Sequence, residues 1–93
     1  MLQTFTHYID GQFEPGSSQF ESIDPAHGQP WACMPAASAD DVDRAVRAAH
    51  RALRDAAWSR LHASARGKLL ARLADLVARD AGLLAELETR DTG

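Results

Sequence analysis

The spacing of hydrophobic positions changes at about residue 38. Before it, short runs of β-branched and aromatic residues alternate with Gly, Pro, Asp and Ser, as in strands joined by tight turns. Residues 6–9 and 12–13 flank Asp10 and Gly11, a pair suited to a type I′ turn, which needs positive φ at both central positions. Residues 19–23 and 29–34 predict a second hairpin on either side of a turn at 24–28.

From Ser38 onward the apolar spacing is that of a helix. Ser38 is placed to accept the Asp41 amide proton while the Asp41 carboxylate reaches back, which predicts a capping box. We expect this helix to end near Ala57, before a connector at 58–61. Its apolar positions share one face and its charged positions the opposite one. The apolar face holds Val42, Ala45, Val46, Ala49, Leu53 and Ala56, and the charged face holds Asp43, Arg44, Arg47, Arg51 and Arg54.

A second apolar stripe runs from Leu69 to Leu87 and is interrupted by Asp80. Because burying an unpaired carboxylate is costly, two helices that meet at Arg79 and Asp80 are favoured over one, with Asp80 as the N-cap of the last. The sequence therefore predicts an α+β piece, with two β-hairpins over residues 1–37 and three α-helices over residues 38–93. The hairpins are too small to cover the apolar helix faces.

Composition places the chain among small globular proteins. It has 93 residues, of which 45% are hydrophobic and 25% charged, enough for one domain at most. The net charge of −3 disfavours nucleic acid as a partner. No apolar run is long enough to span a membrane, and we expect neither membrane association nor export. The single cysteine, Cys33, excludes an internal disulfide and favours a cytoplasmic location.

Residues that commonly carry chemistry are present but scattered. Cys33 has no neighbouring base in sequence, and we interpret it as a packed small hydrophobe. The four histidines lack zinc-ligand spacing, and no glycine-rich nucleotide loop or GxSxG motif occurs. The histidines are His7, His27, His50 and His62. Read from the residues alone, the chain has no catalytic and no cofactor-binding residue.

Six short segments nevertheless occur in a distinctive order. They are YIDGQF at 8–13, IDPAHG at 23–28, ADDVDRAV at 39–46, WSRL at 58–61, RGKLLARLADL at 66–76 and ELETRDTG at 86–93. Together they resemble the amino-terminal region of the NAD(P)-dependent aldehyde dehydrogenase superfamily. The resemblance implies an α/β parent enzyme with a Rossmann-like fold, in which residues 1–93 are an incomplete amino-terminal part of the cofactor-binding domain. It also implies that the chain is a fragment that stops before the catalytic residues.

The resemblance implies an activity for the complete enzyme. It would oxidise a small-molecule aldehyde to a carboxylic acid with NAD or NADP, through a cysteine thioester, and act as a homo-oligomer. Cys33 matches a structural strand position of the family and not the nucleophile, so the 93-residue chain alone is expected to be inactive. The alternative is a non-catalytic interaction module that binds a partner through its exposed apolar helix faces.

One ligand site carries over from the resemblance. It is a monovalent cation site formed by the backbone carbonyl of Ile23 and the carboxylate of Asp91, both hard oxygen ligands that suit Na⁺ or K⁺. Three positions depart from the family pattern. Asp24 stands before Pro25 where the family often has Asn, and both residues form Asx turns. His62 stands where a Ser or Asp cap is common, which weakens the start of that helix, and Arg90 replaces a typical Leu.

Overall fold

Five strands precede four helices in the structure, a computed structural model that describes residues 2–93. The strands are β1 (Gln3–Thr4), β2 (His7–Ile9), β3 (Gln12–Glu14), β4 (Ser18–Asp24) and β5 (Gln29–Ala36). The helices are α1 (Ala39–Arg54), α2 (Ala56–Ser59), α3 (Ala63–Arg79) and α4 (Ala81–Thr92). The α+β order predicted from the sequence is confirmed, but the prediction of three helices is wrong, because residues 56–59 form a separate one-turn helix, α2. The prediction divides these residues between the end of the first helix and the connector.

The first predicted hairpin is confirmed as an antiparallel pair of β2 and β3. Asp10 has φ 53° and Gly11 has φ 73°, so both central turn residues take the positive φ that a type I′ turn requires. Tyr8 lies opposite Phe13, and their ring centroids are 4.8 Å apart. The local sequence therefore sets both the turn and the register of this hairpin.

The second predicted hairpin, β4 with β5, is also confirmed, and it belongs to a three-stranded sheet ordered β1-β5-β4. Its turn is held by Asp24, whose Oδ1 accepts the Ala26 amide proton at 2.8 Å. The strand β1 pairs in parallel with β5, with Gln3 opposite Ala32. The prediction missed β1 because a two-residue strand is too short to show an alternating pattern.

The predicted capping box at the start of α1 is present. The Asp41 amide donates to Ser38 Oγ at 3.1 Å, and the Ser38 amide donates to Asp41 Oδ2 at 3.0 Å. The predicted end of this helix near Ala57 is wrong, because α1 ends at Arg54. Asp55 leaves the helical conformation, with ψ 127°, and its carboxylate accepts the Ala57 amide proton to start α2.

The predicted break between the last two helices is confirmed at Asp80, which occupies the N-cap position of α4. Its side chain forms no capping hydrogen bond, so the predicted capping role is wrong. Both Asp80 carboxylate oxygens instead accept hydrogen bonds from the Arg79 guanidinium, each at 2.9 Å. His62 is the N-cap of α3 and, as expected, forms no side-chain capping bond.

Little apolar surface is buried within residues 2–93. Ala32 is fully buried, and no helix contains a buried residue. The radius of gyration is 16.9 Å, whereas a compact domain of this length has about 12 Å. Leu69, Leu70 and Leu73 on α3 are about half exposed, as are Val42 and Val46 on α1. The prediction that the hairpins leave the apolar helix faces uncovered is therefore confirmed.

No helix of the described part is long and apolar enough to cross a membrane.

Candidate functional site

The end of α4 meets the three-stranded sheet at β4. Ser22 Oγ of β4 donates a hydrogen bond to Asp91 Oδ1 of α4 at 2.5 Å. One residue after α4, Gly93 lies against Pro25, the first residue after β4. Beside this junction, a groove of about 240 Å³ between the sheet and α4 is lined by Trp31, Leu87 and Asp91 among others. The fold thus brings a carboxylate from the far end of the chain to the sheet.

Both residues of the expected cation site belong to this junction. Ile23 follows Ser22 directly on β4, so Asp91 lies beside the strand residue that precedes Ile23. Ile23 lies opposite Pro30 in the sheet, and the ladder shifts register between Ser22 and Ile23. Because proline has no amide proton, Pro30 offers the Ile23 carbonyl no hydrogen bond. We call Ser22, Ile23 and Asp91 the β4–α4 junction.

Ser22 is the residue of the junction that sequence reasoning did not find. Its hydroxyl is a hard oxygen of the kind that binds alkali cations. The available signal was its place next to Ile23, but nothing local to residue 22 indicates that Asp91 lies within hydrogen-bond distance. That information comes from the packing of α4 against β4.

The other candidate residues stay apart from one another. His7 lies 3.6 Å from Asp41, and His27 lies 2.9 Å from Asp24. Within residues 2–93, no group of three or more His, Cys, Asp or Glu side chains is placed to hold a metal ion. Cys33 is half-buried on β5, opposite Glu21 of β4 and Thr4 of β1.

A second polar cluster joins the β2–β3 hairpin to α1. Arg44 Nη2 donates to Glu14 Oε1 at 2.5 Å and to Asp41 Oδ1 at 2.7 Å. The hydrogen bond from Arg44 holds the pKa of Glu14 below its ordinary value. The pKa of Asp41 falls to about 2, first because the Ser38 amide donates to the carboxylate and second because Arg44 does. These carboxylates are ionised at neutral pH.

The residues described contain no glycine-rich loop of the kind that binds a dinucleotide. A dinucleotide-binding loop places glycines immediately before a helix, so that backbone amides meet the pyrophosphate. In residues 2–93, the four helices follow Ser38, Asp55, His62 and Asp80, with no glycine-rich loop before any of them. Arg44 of the second cluster faces the carboxylates of Glu14 and Asp41.

Comparison with known proteins identifies the family. The model of the "Aldehyde dehydrogenase family" matches residues 13–93. The (Z)-2-((N-methylformamido)methylene)-5-hydroxybutyrolactone dehydrogenase of Acinetobacter baylyi is 58% identical over 92 residues, which are 99% of this chain and 19% of that protein. The mitochondrial aldehyde dehydrogenase of Equus caballus is 47% identical over 89 residues, which are 92% of this chain and 18% of that protein. An aldehyde dehydrogenase of Aspergillus niger is 41% identical over 88 residues, which are 92% of this chain and 18% of that protein. The chain thus spans 18–19% of the length of these relatives. By these matches, the chain belongs to the aldehyde dehydrogenase family.

Proposed function

We propose that residues 1–93 are the amino-terminal part of the cofactor-binding domain of an NAD(P)-dependent aldehyde dehydrogenase with a Rossmann-like α/β fold. The observation that carries this proposal is the exposure of apolar faces on α1, α3 and α4. Exposed apolar patches of this kind mark surfaces that another part of a protein covers. A chain that spans under a fifth of its relatives' length leaves ample further polypeptide to do so.

In this proposal the chain has a structural role. The complete enzyme oxidises a small-molecule aldehyde to a carboxylic acid, passes the hydride to NAD or NADP, and forms a thioester on a cysteine outside residues 1–93. Cys33 is a strand residue and not the nucleophile. The 93-residue chain by itself has no turnover, and the complete enzyme is a cytoplasmic homo-oligomer.

The β4–α4 junction is proposed as the cation site of that enzyme. The Ile23 carbonyl and the Asp91 carboxylate supply oxygen ligands for Na⁺ or K⁺, and further ligands come from outside this chain. Two features support the assignment. The Ser22 hydroxyl donates to Asp91 next to Ile23, and Pro30, opposite Ile23, has no amide proton to donate to the Ile23 carbonyl.

A chimaera tests the proposed function. The 92 matched residues of the Acinetobacter baylyi relative are replaced by those of this chain, and NADH or NADPH formation is followed with that relative's own substrate. We expect turnover by the chimaera and none by the 93-residue chain. A folded chimaera with no turnover would overturn the proposal and favour the alternative, a non-catalytic module that binds a partner through the apolar helix faces. Turnover by the 93-residue chain would overturn the structural role.

A further inference from the structure

The β2–β3 hairpin is attached to α1 by ionic contacts. Besides the Arg44–Glu14 pair, Arg51 Nη2 lies 3.1 Å from Asp10 Oδ2 in the hairpin turn. His7 Nε2 lies 3.6 Å from Asp41 Oδ2. The two ion pairs join the turn and β3 to the charged face of α1, and the His7 contact places β2 beside the start of α1. The attachment is therefore spread along the whole hairpin.

Apolar contacts contribute little to this attachment. The aromatic pair of the hairpin points elsewhere, with Tyr8 64% and Phe13 78% exposed. Ile9 is half-buried and lines the cleft of about 300 Å³ between the hairpin and α1. The rest of that cleft is lined by polar or charged side chains. They are Asp10, Gln12, Glu14, Arg44, Arg47 and Arg51.

In the cleft, negative side chains of the hairpin face positive side chains of α1. The hairpin contributes the carboxylates of Asp10 and Glu14, and α1 contributes Arg51 and Arg44 opposite them. Arg47 faces Asp43 of its own helix, at 2.8 Å. Arg44 also bonds Asp41 of the capping box and lies 3.6 Å from Asp40. The capping box of Ser38 and Asp41 starts α1 without any residue of the hairpin.

We propose that the β2–β3 hairpin is a strap held on α1 by ion pairs, which raised ionic strength releases while α1 stays helical. Screening acts at the right scale, because the Debye length falls from about 10 Å at 0.1 M salt to about 3 Å at 1 M. The side chains of the Arg44–Glu14 and Arg51–Asp10 pairs are 28–68% exposed, and exposed pairs respond to salt. Release opens the cleft and its arginines to solvent.

Hydrogen exchange measured by mass spectrometry tests the strap. The inference rests on the proposed function only in that the experiment uses the chimaera described above. Because an isolated two-stranded hairpin is marginally stable in water, a released strap exchanges its amides faster. Between 0.05 M and 1 M NaCl, we expect exchange in residues 7–14 to rise about threefold to tenfold. Exchange in residues 39–54 is expected to stay within about twofold.

Two variants make the test specific. Glu14→Gln removes one of the two ion pairs, so its hairpin should exchange faster than wild type at 0.05 M and respond less to salt. Glu21→Gln, on β4 and outside the cleft, is the matched control and should behave as wild type.

Three results would overturn the strap. They are exchange in residues 7–14 that does not change with salt, exchange in residues 39–54 that rises as much as in residues 7–14, and fast exchange throughout α1 at 0.05 M NaCl. Enzyme activity of the same chimaera reports separately on the proposed function. An inactive chimaera whose hairpin is released by salt still supports the strap.

Discussion

Ser22 and Asp91 are 69 positions apart in the chain and are joined by a hydrogen bond from the serine hydroxyl to the carboxylate. This bond ties α4 to β4, so we expect Ser22→Ala to loosen α4. A hydrogen bond of this kind contributes about 0.5–1.5 kcal/mol, which corresponds to roughly twofold to tenfold faster exchange in residues 81–92. Hydrogen exchange of the chimaera measures this, and Ser17→Ala, in the loop between β3 and β4, is the control. In the double variant Ser22→Ala, Asp91→Asn, exchange in residues 81–92 should be little faster than in either single variant. Additive effects would contradict a direct coupling.

His62→Ser should stabilise the start of α3. His62 occupies the N-cap position without a side-chain capping bond, whereas serine accepts an amide proton of the first turn. The gain is up to about 1 kcal/mol, measured as slower exchange in residues 64–66 of the chimaera. His50→Ser, inside α1, is the control and should give no such gain. Unchanged protection of the first turn in His62→Ser would show that the missing cap has no cost.

Gly11→Ala and Gly82→Ala should have opposite effects. Gly11 has φ 73°, and an L-residue in that region costs roughly 1–2 kcal/mol, although no neighbouring atom blocks the added methyl group. Gly82 lies in α4 with open space around it, so alanine there should stabilise the helix by up to about 1 kcal/mol. Exchange rates in residues 7–14 and 81–92 measure the two effects. If both variants raised exchange, or both lowered it, the opposite roles given to Gly11 and Gly82 would be contradicted.

Helix formation by α1 should depend on the ionisation of Asp41. Its pKa is lowered from 3.8 to about 2 in the folded chain, so its capping contribution is present above pH 4 and is lost as the pH falls towards 2. A peptide of residues 36–57 should lose helical circular dichroism across that interval. Ser38→Ala removes one bond of the capping box and should lower helicity above pH 4. Asp41→Asn should flatten the pH profile, and Asp43→Asn should not. A profile unaffected by Asp41→Asn would contradict the capping role.

The exposed leucines of α3 should make the 93-residue chain self-associate. Leu69, Leu70 and Leu73 are 49–59% exposed, and exposed apolar patches promote association. Replacing all three with glutamine should lower the mass measured by analytical ultracentrifugation. The same change should reduce the activity of the chimaera, because these side chains would then meet the rest of the enzyme. Full activity of the triple variant would show that this face is not covered.

Much of the local structure could be predicted because its causes lie within a few residues of one another. Asp10 and Gly11 determine their own turn, and Ser38 and Asp41 form the capping box that starts α1. The break at Asp80 was predicted correctly, but its side chain does not form a capping hydrogen bond. Arg79, its immediate neighbour, binds the carboxylate that was expected to cap α4.

The tertiary structure decided which elements meet. Local patterns did not indicate that β1 would pair with β5, that the charged face of α1 would hold the first hairpin, or that Ser22 would contact Asp91. By itself, the sequence determined the turns, the caps and the amphipathic faces, because these depend on backbone preferences and hydrogen bonds within about four positions. Contacts between distant residues depend instead on how those faces pack in space, which no local spacing specifies.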